Sequence, residues 1–229
     1  GHSEISNNYV KTAVEILQQK NAVNVGGLMH ADSNTGLQRV IAQAMRSKLG
    51  VGSSKFHTGG SAGESDTVYL GTYKKSAVIA AGGFDERYIR AQDWELNYRL
   101  RKNSGVIWFD PRLQVTYRPR STFKKLARQY FQYGRWRRVI SRQHKNTVNF
   151  RYLAPPIAVI INLLSIFFTF TINPIFIAPF LTYFSILIIG SLFIGRKVVD
   201  KLLMPFVLAT MHFSWGIGFI TSPKKLFKN

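Results

Sequence analysis

Cysteine is absent from the 229 residues. That excludes disulfide stapling, a thiolate nucleophile and any Cys-ligated zinc. Acidic residues are scarce, 11 against 31 Lys and Arg, for a formal net charge of +20. None lies between Asp110 and Asp200, and from 152 to 195 there is no charge of either sign. The five histidines, His2, His30, His57, His144 and His212, form no metal-ligand spacing, and no Gly-rich loop of the Lys-Ser/Thr type is present. Ser and His are too scattered for a nucleophilic triad. At 46% hydrophobic and 14% aromatic, the composition also rules out intrinsic disorder and collagen.

What remains divides into three physically different parts. A mixed region fills 1–121, a basic segment fills 122–151, and an apolar region fills 152–222. Twelve basic residues lie from Arg112 to Arg151 with no acid among them. The stretches 152–172 and 174–195 are uncharged, and spanning a bilayer core takes about 20 apolar residues. Asn173-Pro174 supplies a turn between them, so the pair reads as a transmembrane hairpin. A soluble helix pair would show a polar stripe instead. A third stretch, 202–220, is also uncharged but carries Pro205, His212, Gly216 and Gly218, with Lys224, Lys225 and Lys228 behind it. Positive residues prefer the cytoplasmic side. A third crossing would strand those lysines outside, whereas a re-entrant or interfacial helix would keep them inside; the sequence leaves both open.

The basic segment is amphipathic at its start. Phe123, Leu126, Tyr130 and Phe131 recur at helical spacing while Lys124, Lys125 and Arg128 face elsewhere. Next to a membrane span this reads as an interface-lying helix held by anionic lipid. Nucleic-acid binding would also fit the charge, but a polybasic stretch ending at a hairpin makes lipid the anion.

Helical and strand patterns alternate in the first 120 residues, which predicts an α/β layered domain. The spacing predicts helices over 9–20, with Val10, Val14 and Leu17 as its apolar face, and over 37–49, with Leu37, Val40, Ile41, Ala44 and Met45. Strands are expected at 22–27, 67–72 and 106–109, a mobile Gly/Ser-rich loop at 51–63, and a helix from Asp93 to about Lys102. These strands are too few for a complete layered domain. With an N-terminal residue other than Met, that predicts missing sequence ahead of Gly1.

Two constellations carry chemistry. Gly82-Gly83-Phe84-Asp85-Glu86 is followed by Gln92-Asp93-Trp94-Glu95. Paired glycines allow a ligand to approach the main chain. Asp93 is either a helix N-cap or, at a loop-to-helix junction, a group placed to take a proton from a bound hydroxyl. The second is Gln132-Tyr133-Gly134-Arg135-Trp136. Arg offers a fork for phosphate oxygens and Trp a flat face for a sugar, though both also suit a membrane interface.

Together these residues resemble the C-terminal half of a family 2 glycosyltransferase, the inverting, nucleotide-sugar-dependent class. Gly82-Gly83-Phe84-Asp85 with Asp93-Trp94-Glu95 is similar to the family's acceptor-side segment, and Gln132-x-x-Arg135-Trp136 to its Q-x-x-R-W motif. Gly1-His2-Ser3 resembles the tail of the Asp-Gly-His sequence found in the branch that includes succinoglycan-type transferases. The resemblance implies a GT-A fold, a nucleotide-diphosphate sugar donor, a lipid-linked or saccharide acceptor, and Mg²⁺ or Mn²⁺ on the diphosphate. By the same likeness Asp93 is the general base, and Gly83, Asp85, Gln132, Arg135 and Trp136 contact substrate. Arg135 would offset leaving-group charge, Trp136 would pack near the acceptor sugar, and His2 would lie close to the metal. Gln92 departs from the pattern, standing where the family often has a second acid. The implied role is sugar transfer in exopolysaccharide or envelope glycan synthesis at the cytoplasmic face of the plasma membrane. Single or few additions are expected rather than polymer extrusion. The alternative class is a non-catalytic, membrane-anchored polybasic protein that binds lipid or a partner.

Overall fold

The structure is a computed structural model that describes residues 3–227. Along the chain come β1 (Ser3–Ile5), α1 (Tyr9–Gln19), β2 (Asn24–Ala31), α2 (Gly36–Met45), α3 (Lys48–Val51), α4 (Lys55–Thr58), β3 (Gly63–Glu64), β4 (Tyr69–Tyr73), α5 (Lys75–Ala80), α6 (Gln92–Lys102) and β5 (Ile107–Tyr117). Then follow α7 (Phe123–Gln143), α8 (Phe150–Thr171), a 3-10 turn (Pro174–Ile177), α9 (Ala178–Ile194) and α10 (Val198–Ile220). The fold is mixed α/β with three apolar C-terminal helices. The chain forms two compact units. One runs to Asp32 and from Ser53 to Pro119; the other comprises Ser33–Gly52 and the chain from Arg120. The expected first domain, 1–121, is therefore interrupted by the segment carrying α2 and α3, which packs with the C-terminal helices.

The sheet unit is built on strands in the order β1-β5-β2-β4, with β3 also on β5. β2 and β5 are parallel, and the other pairs are antiparallel. The expected last strand ends at Phe109, ahead of Asp110-Pro111. In the structure β5 resumes beyond them: Gly26 pairs with Phe109 but Leu28 with Gln114. Two residues of β2 thus oppose five of β5, and the three extra residues form a bulge. Side chains alternate with a period of two, so an odd insertion reverses the faces. Ile107 and Phe109 accordingly join the core cluster of α6 residues Leu96 and Leu100. Leu113 and Val115, of the same parity, join the cluster of Tyr9, Ala13 and Ile16 from α1. Asp110 stabilises the bulge by accepting the Arg112 backbone N–H at 3.0 Å and its guanidinium at 2.8 Å.

The buried face of α1 differs from the expected one. Tyr9, Ala13 and Ile16 are buried, while Val10 and Val14 are exposed. The Tyr9 hydroxyl donates to the Leu70 carbonyl at 2.8 Å. That partner lets the aromatic ring enter the core with its polar end satisfied; burial pushes the Tyr9 phenol up to about 12. The expected loop at 51–63 contains the helical turn α4, packed against β2.

In the helical unit, α7 is a 21-residue helix begun by Thr122, whose side chain accepts the Lys125 N–H. It does not simply lie on lipid: Leu126, Tyr130, Val139 and Ile140 are buried, and the helix packs on α10. α8 and α9 form the expected hairpin, with the Asn173 side chain accepting the Ile175 N–H at the turn. α8, the stretch Pro174–Ile194 and α10 are each long and apolar enough to cross a membrane. α10 begins earlier than the expected 202 because Asp200 lies in its first turn, accepting the Lys197 N–H and the side chains of Arg39 and Gln43.

Candidate active site

Asp93 sits in the first turn of α6. The N-cap is Ala91, held at φ 62°, so Asp93 is not the cap that a reading from the sequence alone favours. The residue is open to solvent, yet protein crowds its carboxyl, and that desolvation raises its pKa above the ordinary aspartate value. The backbone N–H groups at Asp93 and Trp94 oppose the rise. Solvent access limits the shift without reversing it. Tyr73 and Tyr69 lie within electrostatic range. Burial raises both phenols, and the negative charge of Asp93 adds to it, so both stay protonated donors at neutral pH.

Side chains fix α6 on two sides. On the sheet side, Asn24 Nδ2 donates to Asn97 Oδ1 at 2.8 Å, and Asn97 Nδ2 donates to Thr67 Oγ1 at 3.0 Å. Asn24 and Asn97 are fully buried, and Asn97 lies one helical turn along α6 from Asp93. On the loop side, Arg99 Nε donates to both Glu95 oxygens, at 2.8 and 3.0 Å, and Arg99 Nη2 donates to Glu95 Oε2 and to the Gly83 carbonyl at 2.7 Å. Its Nη1 donates to the Ala81 carbonyl. Glu95 is 2% exposed, so one guanidinium both neutralises a buried carboxylate and captures the turn that follows α5. Gly82 and Gly83 hold φ at 81° and 76°, the left-handed backbone that makes this turn.

Gly83 therefore serves the turn through its backbone and presents its carbonyl to Arg99 rather than to open solvent. Asp85 is occupied too. Arg87 donates to it from its backbone N–H at 3.0 Å and its guanidinium at 2.8 Å, and this holds the carboxyl below its ordinary pKa. Arg99 and Asn97 went unnoticed as site residues in the sequence. The Glu95–Arg99 spacing of four on a helix was a usable signal for the first; Asn97 had none.

Gln132, Arg135 and Trp136 lie on α7, in the helical unit. Gln132 and Arg135 are half-buried. The Arg135 guanidinium lies 5.6 Å from the Phe131 ring centre, its carbonyl accepts the Ser222 hydroxyl at 3.0 Å, and its Nε has no hydrogen-bond partner among the described residues. Trp136 is 2% exposed. The indole is packing material in this arrangement. Gly134 sits close against α10: a Cβ there would lie 2.0 Å from the Trp215 carbonyl. Gly218 of α10 reciprocates against the Phe131 carbonyl.

His2 lies outside the described residues. Among those described, no three His, Asp or Glu side chains gather closely enough to hold a metal ion.

No protein-family model matches the chain. Over 154 residues it is 31% identical to the succinoglycan biosynthesis protein ExoA of Rhizobium meliloti (strain 1021), covering 67% of this chain and 47% of that protein. Over 143 residues it is 27% identical to the dolichyl N-acetyl-alpha-D-glucosaminyl phosphate 3-beta-D-2,3-diacetamido-2,3-dideoxy-beta-D-glucuronosyltransferase of Methanococcus voltae, covering 58% and 43%. The chain spans about half the length of the curated relatives it matches. Both matches support the likeness, drawn from the motifs, to a family 2 glycosyltransferase of exopolysaccharide type.

Proposed function

We propose that this chain carries the acceptor side of an inverting glycosyltransferase with a GT-A catalytic domain. The enzyme would move a sugar from a nucleotide-diphosphate sugar to a lipid-linked or saccharide acceptor at the cytoplasmic membrane face. The observation that supports this best is Asp93: a solvent-reachable carboxylate with a raised pKa, on a helix immobilised by Asn97 and Arg99. A base whose pKa lies nearer the working pH is better matched to proton transfer from a hydroxyl. In the proposed step the Asp93 carboxylate takes the acceptor hydroxyl proton while that oxygen attacks the anomeric carbon. The bond to the diphosphate oxygen breaks on the opposite face, so the configuration inverts. By the resemblance alone, Arg135 would offset charge on the departing diphosphate. A requirement for Mg²⁺ or Mn²⁺ belongs to the proposal through the resemblance.

The test is nucleoside-diphosphate release by the full-length protein in membranes, with a panel of sugar nucleotides, with and without divalent cation, beside an Asp93→Asn variant. Release with one donor that disappears in the variant is the expected result. Release that persists moves the base elsewhere. No release with any donor, from folded protein given a lipid extract as acceptor source, favours the non-catalytic lipid-binding reading.

A further inference from the structure

We propose that α10 does not cross the bilayer: it lies along the membrane interface on the side occupied by α7, and the described chain crosses only through α8 and α9. The argument is one of sides. α2 and α7 both precede α8, and no helix between them is long and apolar enough to cross. They therefore lie on one side of the membrane, since lipid tolerates only crossings that satisfy their own backbone. The first turn of α10 is fastened to α2. Asp200, fully buried, accepts Arg39 Nη2 at 2.6 Å and Gln43 Nε2 at 2.9 Å, and the Arg196 N–H donates to Gln43 Oε1 at 3.3 Å. The other end is fastened to α7. Arg142 Nη2 donates to the Ser222 carbonyl at 2.8 Å, the Ser222 hydroxyl donates to the Arg135 carbonyl, and Gly134 sits against Trp215.

A 23-residue helix is about 35 Å long, and a crossing would carry its ends to opposite faces of a hydrocarbon core about 30 Å thick. Its two ends are instead held by helices of the same side. Were α10 upright, either α2 with Arg39 or α7 with Arg135, Arg138 and Arg142 would have to follow it through the core, where such charges are costly. The two faces of α10 agree. Asp200, Met204, Val207, Met211 and Phe219 are buried, whereas Val198, Leu202, Phe206, Ile217 and Ile220 are exposed. The occupant of that exposed face is the boundary between headgroups and acyl chains, into which the apolar stripe of an interfacial helix settles. This placement also returns Lys224 and Lys225 to the basic side, as positive residues prefer.

The chain lacks cysteine, so single reporters can be added to the full-length protein. Lys124→Cys marks α7, Thr171→Cys the hairpin tip, and Lys225→Cys the stretch after α10; all three replace exposed or tip residues. A membrane-impermeant maleimide applied to one face of sealed vesicles, and then to the other, is expected to label Lys124→Cys and Lys225→Cys from the same face and Thr171→Cys from the opposite one. Labelling of Lys225→Cys with Thr171→Cys would overturn the proposal. Depth is read separately with a fluorophore on Phe206→Cys and on Leu163→Cys of α8, in vesicles holding nitroxide lipids. Stronger quenching of Phe206→Cys by a shallow nitroxide, and of Leu163→Cys by a deep one, is expected. Deep quenching at both would overturn the interfacial placement.

Discussion

In the sheet unit, the Gly82-Gly83 turn is bent by positive φ and then tied down by a side chain, the Arg99 guanidinium, with Glu95 behind it. In the helical unit, Gly134 has ordinary helical geometry and its contribution is the missing Cβ, which lets α7 touch the backbone of α10. One motif is held by directional, charge-assisted hydrogen bonds, the other by close backbone packing. The first tolerates solvent; the second excludes it. A motif glycine therefore marks two separate physical needs, and only the structure says which.

The sharpest way to break this comparison is at Asp93. Asp93→Asn is expected to lower transfer by about 10²–10⁴-fold, the usual worth of a general base. Because burial raises Asp93 in the folded protein, folding loses stability as pH rises through that raised value. The variant escapes that loss, so at neutral pH its thermal midpoint should hold or rise, checked by thermal unfolding in detergent. For the same reason the acidic limb of the pH–rate profile of the parent should fall above the ordinary aspartate value.

Next in size is Arg99→Ala, which leaves the buried Glu95 carboxylate without its guanidinium and frees the Gly82-Gly83 turn. Breaking a buried pair costs about 3 kcal/mol when one partner remains charged, and Arg99 is itself a quarter exposed, which keeps the effect at that low end. Arg99→Lys should recover little, since an ammonium lacks the fork that reaches Glu95 and two carbonyls together. Gly134→Ala follows, at about 1–3 kcal/mol, because a Cβ at 2.0 Å from a carbonyl forces α7 and α10 apart. Denaturant unfolding of both variants tests whether the two motifs are held as differently as described. An unperturbed Gly134→Ala protein would remove the close-packing half of the comparison. The smallest effect is expected at Asp85→Asn. Its partner Arg87 has 53% of its side chain exposed, and such pairs contribute about 0–1 kcal/mol.

Local signals were legible. The helix from Gln92 to Lys102 and the hairpin emerge from spacing and uninterrupted apolar runs, and so does the place of Asp93 in the first turn of that helix. The second half of β5 was hidden by Pro111, since strand patterns are read as ending at proline, and only pairing to Leu28–Ala31 reveals that the strand resumes with its faces reversed. The buried side of α1 was misread by one position, because Val10 and Val14 outrank Tyr9 and Ala13 in hydrophobicity, whereas the Tyr9 hydroxyl had an acceptor waiting 61 residues away. The third apolar helix was ambiguous for a related reason. What fixes its ends are Arg39, Gln43, Arg135 and Arg142, and no local pattern ties those residues to Asp200 or Ser222.

The pairing of Arg39 with Asp200 spans 161 residues of chain, and it puts a clock on assembly. At about 5–20 residues per second of synthesis, the ribosome needs roughly 10–30 seconds between making one partner and the other. Through that interval α2 has emerged with Val40, Ile41 and Ala44 shaped to be covered, but the helix that covers them does not yet exist. The sheet unit can close around the gap, while α2 waits as an exposed amphipathic segment beside a nascent hairpin entering the bilayer. Synthesis that stalls before Asp200 would leave this waiting helix as the sticky end of an otherwise folded protein.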